Sequence, residues 1–174
     1  MAKAYVLISC QSGEDVSVIS NLKQIPAVKE AHGTFGTYDV IAKLEAQSDF
    51  EVNRAISKRI RQIKKIRATL TLHADSKFRF AKTISDSEKD TVEKFMATAY
   101  VLISGWMNEK QTILECLSEI PEVIDADVVM GSFEIICKVA APTYNDISQI
   151  ISTKIRRLQN IKSTITLNVI PENE

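Results

Sequence analysis

Two four-residue stretches have the composition of a site that could hold a small zwitterion: "GTYD" (Gly36, Thr37, Tyr38, Asp39) and "GSFE" (Gly131, Ser132, Phe133, Glu134). Glycine carries no Cβ, so the backbone N–H groups beside it can come close to a ligand carboxylate. The acid at the end of each stretch can accept from an ammonium group. The plainer reading is a tight hairpin turn, in which glycine supplies a positive φ. The changes from Tyr38 to Phe133 and from Asp39 to Glu134 predict unequal sites, the second being the degenerate one.

Other residue groups carry less chemistry. The basic run "KRIRQIKKIR" (Lys58–Arg67) suits phosphate or, more simply, the solvated C-terminal end of a helix, where cations complement the dipole. A related later stretch, "TKIRRLQNIK", is diluted, and no aromatic residue interleaves the charges. His32 and His73 are the only histidines, and no second metal ligand stands at a recognisable spacing from His32. Cys10, Cys116 and Cys137 form no CxxC pair; Cys137 falls in an apolar run and reads as packing. Trp106 and Met107 follow an apolar run, where an exposed Trp would read as an interface anchor. No Ser-His-Asp or Cys-His set, Gly-rich phosphate loop or HExxH is present, so no catalytic residue, metal or cofactor is expected.

The elements that must position these residues occur twice. "AYVLIS" stands at Ala4–Ser9 and again at Ala99–Ser104, and a shift of about 95 residues aligns the halves without a gap. Gln24–Ala46 lands on Glu119–Ala141, and Ile56–Leu72 lands on Ile151–Leu167. Each copy opens with a β-branched apolar run, a strand. "GEDVSVISNLKQI" follows with Val16, Ile19, Leu22 and Ile25 at helical spacing, Asp15 or Ser17 near its start and Pro26 ending it. Two strands then flank Gly36. A second helix carries Phe50, Val52, Ile56, Ile60 and Ile63, capped by Ser48 or Asp49. "IRATLTLH" closes the copy by alternating Ile66, Ala68, Leu70 and Leu72 against Arg67, Thr69, Thr71 and His73.

The order β-α-β-β-α-β predicts an α+β class: two tandem ferredoxin-like βαββαβ domains, each a four-stranded antiparallel sheet with helices on one face. The expected divisions are domain 1 over 1–73, a partly helical linker over 74–96 with Ser85 or Asp86 as cap, and domain 2 over 97–170. Strand one offers Ala4, Val6 and Ile8 to one face and Tyr5 and Leu7 to the other. The face away from the helices therefore needs cover, because a domain of about 70 residues is marginal alone. Face-to-face pairing of the sheets, in the manner of a dimeric α+β barrel, is the expected solution, within one chain or between chains.

The opening A-Y-V-L-I, the I-P-x-V after the first helix, the G-x-Y-D turn (G-S-F-E in the second half) and the closing T-x-T-L strand come in the same order in both halves. Together they resemble the effector-binding domain of the Lrp/AsnC transcription regulators, the RAM domain. The resemblance implies assembly through the sheets into dimers and larger rings. It also implies small-molecule effectors, often amino acids, bound in clefts near the G-x-Y-D turn, with Thr69, Thr71, Thr164 and Thr166 on the neighbouring last strand. The plainer reading of those threonines is β-propensity on a partly polar face. Regulators of this family carry a helix-turn-helix domain, whereas here the first strand begins at Lys3, so a stand-alone, duplicated effector domain is expected.

Composition agrees with that expectation. Lys+Arg and Asp+Glu both number 22, which argues against direct DNA binding. No apolar run approaches the ~20 residues of a membrane span, and the odd cysteine count without an export signal predicts a cytoplasmic location. The expected function is non-enzymatic sensing of a small metabolite, an amino acid first, through self-assembly as a homo-oligomer or association with full-length Lrp/AsnC regulators. The alternatives are a small oxygenase or haem-handling enzyme of the dimeric α+β barrel type, and a purely structural assembly protein.

Overall fold

The computed structural model describes residues 1–83, 85–106, 108 and 110–172. The chain runs β1 (Ala2–Cys10), α1 (Asp15–Lys23), β2 (Val28–Phe35), β3 (Val40–Ala46), α2 (Asp49–Lys58), a 3-10 turn (Ile60–Gln62) and β4 (Ile66–Ala81). After α3 (Asp86–Phe95) come β5 (Ala97–Gly105), α4 (Lys110–Ser118), β6 (Val123–Met130), β7 (Ile135–Ala141), α5 (Tyr144–Ile150), a π-helical turn (Ile151–Ile155) and β8 (Ile161–Val169). The chain is thus an α+β protein with two βαββαβ repeats. It divides into two compact units, one of residues 1–76 with the tail from Ile170, the other Lys77–Val169.

In the first unit β1 lies between β3 and β4, and β2 pairs with the other edge of β3, all antiparallel. Residues directly opposite one another in an antiparallel pair share a face. Ala4, Val6 and Ile8 therefore join Leu44, Ala42 and Val40, and this face packs on Val18, Leu22, Val52 and Ile56 of the two helices. The alternate residues Tyr5, Leu7, Ile41 and Leu72 are fully buried as well. The second unit repeats the plan. Here β5 is central with β7 and β8 beside it, and Ala99, Val101, Ile103, Cys137 and Val139 pack on Ile113, Leu117, Ile147 and Ile151. Cys137 is core, as its apolar run implies.

Several local expectations are corrected. In α1 the buried residues are Val18 and Leu22, with Ile25 just beyond its end, and Val16 is 74% exposed. Residues two apart on a helix point to nearly opposite sides, so Val16 and Val18 cannot both face the sheet. The N-cap of α1 is Glu14, and it makes no side-chain capping bond. Phe50 is also outward, because α2 buries Val52, Ala55 and Ile56. The helix stops at Lys58, and Ile60 reaches the core from the 3-10 turn instead. Ser48 caps α2 through the Glu51 N–H, and Ser85 caps α3 in a reciprocal capping box with Glu88.

Strand β4 continues to Ala81, so the first part of the expected linker is strand. The physical cause is the alternation F-R-F: Phe78 and Phe80 pack on the second core while Lys77 and Arg79 stay in water. Lys82 extends this edge. Its N–H donates to the Ile124 carbonyl (2.9 Å) and its ammonium to the Ile120 carbonyl (2.6 Å), just beyond α4. Burial lowers the Lys82 pKa, an effect the Glu122 charge opposes.

Candidate functional site

Each predicted turn is a hairpin loop between the second and third strands of its copy, β2 and β3 or β6 and β7. In the first, the Thr34 N–H donates to the Asp39 carbonyl (2.9 Å), and the Thr34 hydroxyl donates to the Tyr38 carbonyl (2.8 Å). The second closes with the same backbone bond, from the Val129 N–H to the Glu134 carbonyl (2.9 Å), and valine there has no hydroxyl to add the other. Gly36 sits at φ 139° and Gly131 at φ 140°, a region that side chains resist, so glycine is required at both. Gly36, Thr37, Gly131 and Ser132 are exposed, and Tyr38 and Phe133 are half-buried. Among the described residues, none takes the N–H of Gly36 or Thr37, so both remain for water or a ligand.

The acid that ends each turn has a structural task that sequence reading missed. Asp39 Oδ2 accepts from the Cys10 N–H (2.9 Å), and Glu134 Oε2 accepts from the Gly105 N–H (3.0 Å). At these two points the last strand of each copy bulges against the first, with Arg67 extra opposite Ser9 and Cys10 and Lys162 extra opposite Ser104 and Gly105. A bulge disrupts the hydrogen-bond ladder, and here the N–H just past it donates to the carboxylate. The Asp39 N–H also donates to the Ile8 carbonyl (2.8 Å), and the Glu134 N–H to that of Ile103 (3.0 Å). Each turn is thus stapled to the end of the first strand. The Asp-to-Glu change, read as degeneration, preserves the staple.

The bulge also decides where the threonines point. It skips Arg67, so Thr69 lies opposite Ile8 and Thr71 opposite Val6, on the helix-covered face. Thr164 and Thr166 lie opposite Ile103 and Val101 in the same way. Turn and Thr69 flank the same end of β1, on either side, two interstrand spacings or about 10 Å apart. Thr71 lies one pleat further from the turn, and its buried hydroxyl oxygen has no hydrogen-bond partner among the described residues. The Thr164 hydroxyl accepts from Arg156 Nε (2.8 Å), which ties β8 to the end of the π-helical turn.

A family model described as the Lrp/AsnC ligand binding domain matches residues 3–76 and again 98–172. The chain belongs to the Lrp/AsnC ligand-binding-domain family. Among curated proteins none matches it. Among solved structures, FFRP-DM1 is 32% identical over 43% of this chain and 100% of its own, with a TM-score of 0.42. The siroheme decarboxylase NirDL is 12% identical, covers 96% of this chain and 70% of its own, and has a TM-score of 0.69. A putative monooxygenase from Lactobacillus acidophilus is 7% identical, covers 97% and 92%, and has a TM-score of 0.60. The last two likenesses are of fold.

In this Lrp/AsnC chain the remaining candidate groups are dispersed. His32, on β2 opposite Ile41, faces away from the helices and is half-buried. Its counterpart Asp127, opposite Ile136, is 1% exposed. The signal for that buried acid was the alternation of Asp125 and Asp127 within "VIDADVVM". Among the described residues no three His, Cys, Asp or Glu gather as a metal site, and no helix is long and apolar enough to cross a membrane. Burial raises the thiol pKa of Cys137 far above its ordinary value; burial, then the Asp39 charge, raises that of Cys10. Trp106 is 56% exposed with Lys162 Nζ 4.1 Å from its ring centre, a cation–π contact. Met107 lies outside the described residues.

Proposed function

We propose that the chain is a non-enzymatic sensor of a small metabolite, with an amino acid as the foremost class. It couples binding to assembly with itself or with full-length Lrp/AsnC regulators, and so acts in the control of transcription. The observation that carries this reading is the ligand-binding-domain match over both copies. The turns support it. Gly36–Asp39 offers open backbone N–H donors for a carboxylate and an acidic side chain for an ammonium group, with Thr69 and Thr71 beyond β1. Gly131–Glu134, with Thr164 and Thr166, is the second candidate. An effector of this kind biases an oligomeric equilibrium only through its different affinities for the two states.

Thermal unfolding of the full chain with each common amino acid tests the proposal. A ligand at 100 times its dissociation constant adds about 2.7 kcal/mol, or roughly 5–11 °C for a chain of this size. A companion titration with an iron porphyrin, followed by its absorption spectrum, addresses the enzymatic alternative suggested by the fold likeness to the siroheme decarboxylase. A spectral shift at stoichiometric porphyrin, with no response to any amino acid, would replace sensing with haem chemistry.

A further inference from the structure

The basic run Lys58–Arg67 builds a feature that the turn sites do not use. Ile60 is buried, and Ile63 and Ile66 are half-buried against the first core. Apolar anchors every third residue throw the cations between them into water. Lys58, Arg59, Lys64 and Lys65 then line an open groove of ≈ 390 Å³, with Asn21 of α1, Gln62 and Ile63 completing its walls. That volume lies in the range of small-molecule sites. Lys65 is paired with Glu14 (2.8 Å); among the described residues, no carboxylate pairs with Lys58, Arg59 or Lys64.

The second copy shows that the fold does not demand this charge. In register, Lys58, Lys64 and Lys65 become Thr153, Gln159 and Asn160. Arg59 becomes Lys154, which Glu122 holds at 2.7 Å, where the first copy has only Ala27. A helix dipole would favour cations at both helix ends equally, so the excess in one copy is a property of that copy.

We propose that this groove binds the phosphoryl group of a small phosphorylated metabolite. Among the described residues no acidic side chain lines it, so an amino-acid ammonium would meet four cations and no carboxylate there. No aromatic side chain lines it either, so it offers no platform for stacking nucleobases. A compact dianion matches both the charge and the donors: the forked guanidinium of Arg59, two ammonium groups and the amides of Asn21 and Gln62. The inference is independent of the turn-site proposal, because the two sites share no residue.

The test is a titration of the full-length, ¹⁵N-labelled protein with inorganic phosphate, followed by amide shifts at constant ionic strength, with citrate and sodium chloride as parallel arms. Saturable shifts at Asn21, Arg59 and Lys64 are expected with phosphate. Binding should weaken at least tenfold in the Arg59→Gln/Lys64→Gln variant, whose side chains are exposed, and should be unchanged in Lys154→Gln. Linear shifts spread over the lysines and arginines of both copies would overturn the proposal. So would citrate binding as tightly as phosphate. Duplex DNA bound through the same cations, with no saturable phosphate response, would overturn it in favour of a nucleic-acid surface.

Discussion

Asp39 is the residue where the structure makes the sharpest demand. Its carboxylate accepts the Cys10 N–H at 2.9 Å, beside the bulge that disrupts the β1–β4 ladder. Cys10 is 7% exposed, so water cannot fully replace the lost acceptor. A bond to a charged acceptor contributes about 1.5–3 kcal/mol, and an orphaned buried donor costs about 1–3 kcal/mol. Asp39→Ala should therefore destabilise by about 2 kcal/mol. Asp39→Asn keeps an oxygen at the same reach without the charge and should cost less, about 0.5–1 kcal/mol. Urea unfolding gives the global values, and hydrogen exchange at the Cys10 amide gives the local one, which should accelerate more in the alanine variant. The same pair separates charge from bonding at the thiol. The Asp39 charge helps to hold the Cys10 pKa up, so both variants should titrate this thiol at lower pH than the parent. If the alanine variant lost less than about 0.5 kcal/mol, the staple would contribute nothing and the turn would have to be held by its backbone bonds alone.

Three further outcomes follow from single contacts. Gly105→Ala would place a Cβ 2.7 Å from the Asn160 carbonyl oxygen and 3.2 Å from Ile113 Cδ1. Backbone must shift to admit it, so calorimetry should show a loss of about 1–3 kcal/mol. The Glu122 carboxyl is held below its ordinary pKa chiefly by its hydrogen bond from Lys154. A depressed acid stabilises the fold above its unfolded pKa, and that stability is lost as pH falls through the folded value. Stability should therefore drop below about pH 4.5, and Glu122→Gln should flatten the profile by at most about 1 kcal/mol for so exposed a pair. Thiol labelling of the native protein should reach half-buried Cys116 first, then Cys10, and Cys137 only on unfolding, in the order of their exposure. Prompt labelling of Cys137 would contradict its place in the core.

The sequence alone determined what depends on neighbours along the chain. The duplication, the βαββαβ order, the hairpins at Gly36 and Gly131 and the Ser85 cap all rest on local spacing, and each appears where its residues stand. Tertiary structure decided what depends on a distant partner. Periodicity placed Val16 on the inward stripe of α1, and the sheet took Val18 instead. Alternation grouped Ile66 with Leu70 and Leu72, but the bulge against Cys10 put Ile66 on the helix face with Thr69 and Thr71. The roles of Asp39 and Glu134 were equally hidden, because each bonds a backbone N–H 29 residues away that has no signature in either side chain. A repeating pattern states which residues share a face; only the register of the paired strand states which face it is.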